Sequence, residues 1–378
     1  MRKAPFFIEG RAYAAHHARD DAFDVQSVPR PYAVTWSRSE SPAETVRRLL
    51  QNRSDALVMM DRKVMALHGR GMGLPTGRVL AAPATERFKT LAGVLKAIAF
   101  LDAHHATKAG SLVVAGGGIL QDVGAFASAC YKRGIPWIYV PTTLLAMADS
   151  CIGGKCGINH RGIKNQLALF SAPREVHINP GFLHTLEPGA MRSGLGEIAK
   201  LHLIGGPLFW EAFADLCPRG KVECPEDGRK LILNALAVKR AVVERDEFEL
   251  DHRRALNFGH TFGHALESLS GFRIAHGQAV VAGMLIANEF SRRRGWLRGR
   301  EGREIRERLL TLLTPSEKGI LRDLPIRDLG RLLRMDKKSV GGAITLVLLE
   351  AVGKTRFIRQ TPDPDFLSAA GEILRTLD

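Results

Sequence analysis

An α/β half followed by a mainly helical half is the fold class that this sequence predicts, with a boundary near residue 185. Three observations predict it. Before the boundary, short aliphatic runs alternate with stretches of helical period. One of those runs ends in Gly116-Gly117-Gly118, a turn that opens into a helix. After the boundary the helical period dominates, and Ile344–Leu349 alone reads as a strand.

Taken in order, residues 1–54 are weakly patterned and read as an extension with an edge strand near Tyr32–Trp36. Residues 55–185 form the α/β domain. Ala56–Met60 and Arg78–Ala82 are apolar runs of the kind found in buried parallel strands, the first ending at Asp61. Glu86 to His105 reads as a helix, because Leu91, Val94, Leu95, Ile98 and Leu101 share one face. Leu112–Ala115 is a strand, the glycine turn follows, a helix runs on to Arg133, and Trp137–Val140 is the next strand. Residues 186–378 form the helical domain, with helices over Ala190–Ile204, Lys230–Glu244, Asn257–Leu269, Gln278–Arg294 and Glu301–Leu313.

The composition of the 378 residues is that of a globular protein, with 45% hydrophobic and 25% charged residues, which excludes a disordered or fibrous chain. Lys and Arg outnumber Asp and Glu by 54 to 39, a net charge of +15 that asks for an anionic partner. The five cysteines show no C-x-x-C spacing and fit a reduced, cytoplasmic protein better than a disulfide framework. The first residues lack the apolar core of a signal peptide, and no uncharged apolar run approaches the roughly 20 residues that span a bilayer.

Three groups of residues carry chemistry. The glycine turn lets a pyrophosphate approach the backbone, where the N–H groups of a helix start attract anions. Asp61, at the end of an earlier strand, is placed either to meet a ribose hydroxyl or to cap a helix. His260 and His264 stand at i and i+4 on one helix face, with His276 beyond and Glu197 on an earlier helix. Glu and His with an open position suit a catalytic Zn²⁺, although the spacing is not that of H-E-x-x-H proteases. Lys155, Lys164-Asn165, Lys200, Lys239, Arg253 and Asp336-Lys337-Lys338 form a cationic set, several of them beside glycines, suited to phosphate or carboxylate. By contrast, the Arg/Glu run at 291–308 reads as a solvated face.

Read together, these segments resemble the dehydroquinate synthase family of sugar phosphate cyclases, over about residues 55–360. The carriers are Gly-Gly-Gly-Ile-Leu-Gln-Asp (116–122), Tyr-Lys-Arg-Gly (131–134), Pro-Thr-Thr-Leu-Leu-Ala (141–146), Asp-Ser-Cys-Ile-Gly-Gly-Lys (149–155) and Lys-Asn (164–165). Gly-Leu-Gly-Glu-Ile-Ala-Lys (194–200), Leu-Asn-Phe-Gly-His-Thr-Phe-Gly-His (256–264), His-Gly-Gln-Ala-Val (276–280) and Asp-Lys-Lys (336–338) complete the set.

The resemblance implies a Rossmann-like N-terminal domain, a helical C-terminal domain and an active site in the cleft between them. It implies NAD⁺, one Zn²⁺ (or Co²⁺), a small anionic sugar phosphate as substrate, and a homodimer. By motif, the metal ligands are Glu197, His260 and His276, and His264 contacts the substrate phosphate and moves a proton. Phosphate and carboxylate contacts fall to Arg133, Lys155, Asn165, Lys200, Lys239, Arg253, Asn257 and one of Lys337 and Lys338. NAD contacts fall to Asp61, Glu86, Lys89, Gly117, Gly118, Asp122, Thr142, Thr143, Asp149, Lys164 and Thr185, with Asp149 also facing substrate.

The implied reaction converts a seven-carbon sugar acid phosphate of the shikimate route to a carbocycle. It proceeds by transient oxidation, phosphate elimination, reduction and aldol closure. Relatives act on sedoheptulose 7-phosphate, glucose 6-phosphate or an amino analogue. Arg253, Asn257, His264 and Asp336-Lys337-Lys338 match the shikimate pattern. Four features depart from it: the long residues 1–54, Cys156 where Thr is usual, Gln121 where Gly is usual, and Gln278 where Glu is usual. The last bears on hydrogen bonding around His276. An NAD- and metal-dependent polyol dehydrogenase would share the glycine turn and the histidines but has no use for the cationic set. No nucleic-acid motif accompanies the positive charge.

Overall fold

The structure, a computed structural model, describes every residue except 1–4, 16–21, 38–40, 52, 162, 298, 336–342 and 378. The chain divides into two compact units, Ala18–Glu187 and Met1–His17 with Pro188–Asp378. The expected extension over residues 1–54 is therefore split: its first part belongs with the helical residues and its remainder with the α/β residues.

Ala18–Glu187 is built on a seven-stranded sheet. Its order is Ala22–Val25, Tyr32–Trp36, Glu175–Ile178, Trp137–Pro141, Leu112–Gly116, Leu57–Asp61, Val79–Ala82. All neighbours run parallel except the first pair, which is antiparallel. The adjacent strands Trp137–Pro141, Leu112–Gly116 and Leu57–Asp61 are buried along almost their whole length, which is why they read as unbroken apolar runs rather than alternating ones. Met59, Val114 and Tyr139 are 0% exposed, and burying each such side chain contributes about 1.5–3 kcal/mol.

Three readings of this unit are corrected. The helix expected from Glu86 begins at Leu91, because Phe88 N–H bonds back to Thr85 O (2.8 Å) in a turn and Thr90 is extended. The helix after the glycine turn ends at Cys130, because Lys132 and Arg133 adopt left-handed backbone ahead of Gly134. The segment flanked by Lys155 and Lys164-Asn165, which reads from the sequence as a loop rich in small residues, is an antiparallel hairpin, Lys155–His160 against Ile163–Phe170. Its second strand is largely exposed and carries near its start the polar run Lys164-Asn165-Gln166, which breaks the apolar pattern.

In the other unit all five expected helices form. Pro188–Gly205 and Pro225–Val243 begin earlier than expected because proline suits the first helical turn. The expected Asn257–Leu269 helix is a 3-10 turn, His252–Asn257, followed by the helix His260–Leu269. His276–Arg293 and Gly299–Leu310 follow, and Pro207–Leu216, Pro315–Arg322, Leu329–Met335 and Pro364–Arg375 are additional. Ile344–Leu349 is not a lone strand. Ile344–Ala351, Lys354–Gln360, Pro5–Ile8 and Arg11–Ala14 form a four-stranded sheet in that order. Phe6 and Ile8 are 0% exposed in it, so the start of the chain is part of this unit's core.

Close helix packing positions the functional residues. Helices Pro188–Gly205 and His276–Arg293 meet at glycines. A Cβ on Gly196 would lie 2.5 Å from Gly277 O, and one on Gly277 would lie 1.9 Å from Ser193 O. Only glycine permits this approach. The adjoining residues, Glu197 and His276, are thereby brought face to face.

Candidate active site

Glu197 is 1% exposed, on the helix Pro188–Gly205. One carboxylate oxygen, Oε2, pairs with Lys200, which is 2% exposed and one turn further along. The other, Oε1, lies 3.3 Å from His276 Nε2 and 3.5 Å from His260 Nε2. Bonds of about 2.0–2.1 Å to a tetrahedral ion place two ligand atoms about 3.3 Å apart. The donor set and its spacing therefore fit a divalent metal. His264 completes the triangle of imidazoles, whose nitrogens lie within 4.8 Å of one another, and it is the exposed member.

Burial works against a charged His276, but the carboxylates of Glu197 and Glu267 prevail and hold its imidazole up at about 9. Both ring nitrogens thus face carboxylate oxygens. Glu267, 6% exposed, lies 3.4 Å from His276 Nδ1. It has the position of the outer carboxylate that orients a metal-binding imidazole. Glu267 was missed in the sequence reading, although the signal was there: His260, His264 and Glu267 recur at i, i+4 and i+7 on one helix face.

Arg253 and Asn257 stand on the turn His252–Asn257. Arg253 is 1% exposed, and its guanidinium donates to Glu247 O. Its N–H donates to Asp246 Oδ2 (2.9 Å), which also accepts from Asp251 N–H (2.9 Å). Asn257 Nδ2 donates to Glu249 Oε1 (2.7 Å), a second carboxylate that the sequence reading missed. Lys239 is 7% exposed on Pro225–Val243. Lys337 and Lys338 lie outside the described residues.

In the α/β unit the glycine turn begins the helix Gly118–Cys130. A Cβ on Gly117 would lie 3.0 Å from Thr143 Cγ2, whereas one on Gly118 would meet nothing nearer than Ser150 Oγ at 3.8 Å. The turn is packed on one side and open on the other, as a cradle for a pyrophosphate requires. Thr142 N–H bonds to Gly116 O (3.1 Å) and Thr143 Oγ1 accepts from Ala146 N–H (3.2 Å). Asp149 lies on the π-helical segment Ala146–Ser150, and Gln121 grips that segment through Ser150 O (2.7 Å) and Ser150 Oγ (2.6 Å).

Beside the turn, Asp122 pairs with Lys89 (2.5 Å) and accepts from Gly157 N–H (3.1 Å). Burial pushes the Asp122 carboxyl up, and the Lys89 ammonium opposes that shift. Glu86 lies 3.6 Å from Lys164 and accepts from Asn159 (2.7 Å), whose own Oδ1 accepts from Asn165 N–H (3.1 Å). This joins Glu86, Lys164 and Asn165. Asp61 accepts from Lys63 N–H (2.9 Å), the capping contact, and Thr185 Oγ1 lies 2.7 Å from His68 Nε2. Lys155 is exposed at the hairpin start, and the neighbouring Cys156 thiol is buried and pushed well up by that burial. Arg133 is not gathered with the glycine turn. It stands beyond the far end of a 13-residue helix, which is about 20 Å long.

Known proteins match this chain along most of its length. The family described as 3-dehydroquinate synthase N-terminal covers residues 79–193, and 3-dehydroquinate synthase C-terminal covers 194–339. A 3-dehydroquinate synthase of Paracoccus denitrificans (strain Pd 1222) is 34% identical over 323 residues, 82% of this chain and 87% of the relative. This chain belongs to the 3-dehydroquinate synthase family. It is accordingly an enzyme, a sugar phosphate cyclase of the dehydroquinate synthase type. A 2-deoxy-scyllo-inosose synthase, complexed with carbaglucose-6-phosphate, NAD⁺ and Co²⁺, shares the fold at a TM-score of 0.79 and 22% identity, over 94% of this chain and 99% of that one. A 2-epi-5-epi-valiolone synthase from Streptomyces hygroscopicus subsp. jinggangensis 5008, with NAD⁺ and Zn²⁺ bound, has a TM-score of 0.78 and 25% identity, over 92% and 97%.

Within the dehydroquinate synthase family frame, the expectation that Gln278 bears on His276 is corrected. Gln278 is 0% exposed and its Nε2 donates to Gly189 O (3.1 Å), while Glu267 occupies the place beside His276 Nδ1. No helix among the described residues is long and apolar enough to cross a membrane.

Proposed function

We propose that this enzyme is a lyase of the 3-dehydroquinate synthase type, which converts a seven-carbon sugar acid phosphate to a carbocycle and releases phosphate. The observation that carries the reading is Glu197, held by Lys200 and aimed at His260 and His276. Glu197, His260 and His276 would hold Zn²⁺ or Co²⁺, which when bound acidifies a substrate hydroxyl. The glycine turn, with Asp61, Lys89, Asp122, Thr142, Thr143 and Asp149 around it, would hold NAD⁺, which supplies a reversible hydride acceptor.

The protein's own groups do the rest. Lys200 pairs with Glu197 and holds its carboxylate in one rotamer, and Glu267 fixes the ring of His276. His264, exposed beside the two ligand histidines, accepts or returns a proton at the substrate phosphate. Arg253 and Lys239 bring buried positive charge to the phosphate and carboxylate, where charge-assisted hydrogen bonds are strongest. Lys155 and Asn165 supply further donors. Aromatic precursor biosynthesis, a cytoplasmic location and a homodimer accompany this reading.

The likeness to the valiolone synthase favours a second reading, a cyclase acting on sedoheptulose 7-phosphate. Phosphate release from purified protein decides between them. The first reading expects release from the seven-carbon acid phosphate with no net NADH. Turnover of sedoheptulose 7-phosphate alone replaces it with the second, and NADH accumulation with a polyol replaces both with a dehydrogenase. Glu197→Ala and His260→Ala are expected to lose bound zinc by metal analysis. Full zinc in both would refute the ligand assignment.

A further inference from the structure

Tyr13 lies on the strand Arg11–Ala14 and is 2% exposed. Its hydroxyl is 2.8 Å from His252 Nδ1, across 239 positions of sequence. The other ring nitrogen of His252 lies 3.3 Å from Asp251 Oδ2. Arg245 stacks over the Tyr13 ring, 4.5 Å from its centroid, and donates to Ala12 O (2.7 Å). The strand is therefore fastened to the segment that precedes Arg253, by a hydrogen bond on one side and a guanidinium on the other.

His252 opens the short turn that carries Arg253 and Asn257. From within its own segment, that turn is held by Asp246, which accepts the N–H groups of Leu250, Asp251 and Arg253. From outside, Tyr13 holds it through His252. Arg253 is 1% exposed, so its guanidinium has little rotamer freedom with which to correct a displaced backbone. The direction in which it meets an anion is set by where the turn sits. Paired donors lose strength quickly when their angle to phosphate or carboxylate changes.

We propose that Tyr13 is a positioning residue: through His252 it sets Arg253 for the anionic group of the substrate. This rests on the reading of Arg253 as an anion contact. It assigns the chain's first strands a part in substrate recognition beyond completing a sheet.

Tyr13→Phe tests it, since it keeps the ring under Arg245 and removes only the hydroxyl. The expected result is a rise in KM of about fivefold, the scale of one lost neutral hydrogen bond, with kcat and zinc content unchanged. His252→Leu should do the same, and the double variant should be no worse than His252→Leu alone. A second measurement, independent of turnover, is the inorganic phosphate concentration that half-saturates thermal stabilisation, which should rise in parallel. A Tyr13→Phe protein with a lower Tm but unchanged KM and phosphate response overturns the proposal, as do additive effects in the double variant. Arg253→Lys separates the two levels. If it weakens both readouts and Tyr13→Phe weakens neither, Arg253 stands as the anion contact and the positioning role falls. If Arg253→Lys changes neither, the reading of Arg253 falls and takes the proposal with it.

Discussion

Lys89 and Asp122 meet in the α/β unit with side chains 11% and 17% exposed, whereas Lys200 and Glu197 meet in the helical unit at 2% and 1%. The first pair sits among backbone donors at the mouth of a glycine turn, where water shares the work of solvating charge. The second is sealed, and a dry ion pair is tolerated only when its geometry and remaining hydrogen bonds offset desolvation. A site that receives a large anionic cofactor can be built from local turns. A site that holds one small cation among histidines depends on how closely separate helices approach.

The difference can be broken at the helix crossing. Gly277→Ala puts a methyl where Ser193 O stands 1.9 Å away, so the helices must part. Overpacking of this kind costs about 1–3 kcal/mol or more, and zinc content should fall to background by metal analysis. A variant with full zinc and unchanged Tm would show that the crossing does not set the site.

A smaller effect is expected at Glu267→Gln, which keeps the shape and removes the charge beside His276. Chelator competition should find zinc held about 10–100-fold more weakly. A change within twofold would mean that Glu267 does not orient the ring. Smallest is Gln121→Ala, which removes two hydrogen bonds to Ser150. NAD⁺ binding, read by fluorescence titration, should weaken about fivefold, and zinc content should stay fixed. Loss of zinc in this variant would contradict a role for Gln121 confined to the segment Ala146–Ser150.

How much of this was legible in the sequence follows the same divide. The glycine turn and the central strands were readable because their causes are local: an apolar run, three glycines, a helix start. The clustering of His260, His264 and His276 with Glu197 was partly readable, since periodicity put two histidines on one face. Which histidines approach Glu197 was not legible from spacing and came only through the family motifs, because that depends on Gly196 meeting Gly277 from another helix. The sheet of Pro5–Ile8 and Arg11–Ala14 was hidden for a similar reason. Phe7 pairs with Lys354, and nothing near either residue announces the other. The hairpin from Lys155 to Phe170 was hidden by its exposed, mixed second strand.

The pairing of Phe7 with Lys354 also fixes an order of events during synthesis. The strand Pro5–Ile8 leaves the ribosome long before the strand Lys354–Gln360 that receives it. At about 5–20 residues per second the wait is on the order of tens of seconds. Ala18–Glu187 is one unbroken stretch, and all of it is made within that interval. Phe6, Ile8 and Tyr13 cannot be covered by their own complete sheet until Lys354–Gln360 has been made. A translation stall ahead of Lys354 would leave the strands Pro5–Ile8 and Arg11–Ala14 without the neighbour that seats them.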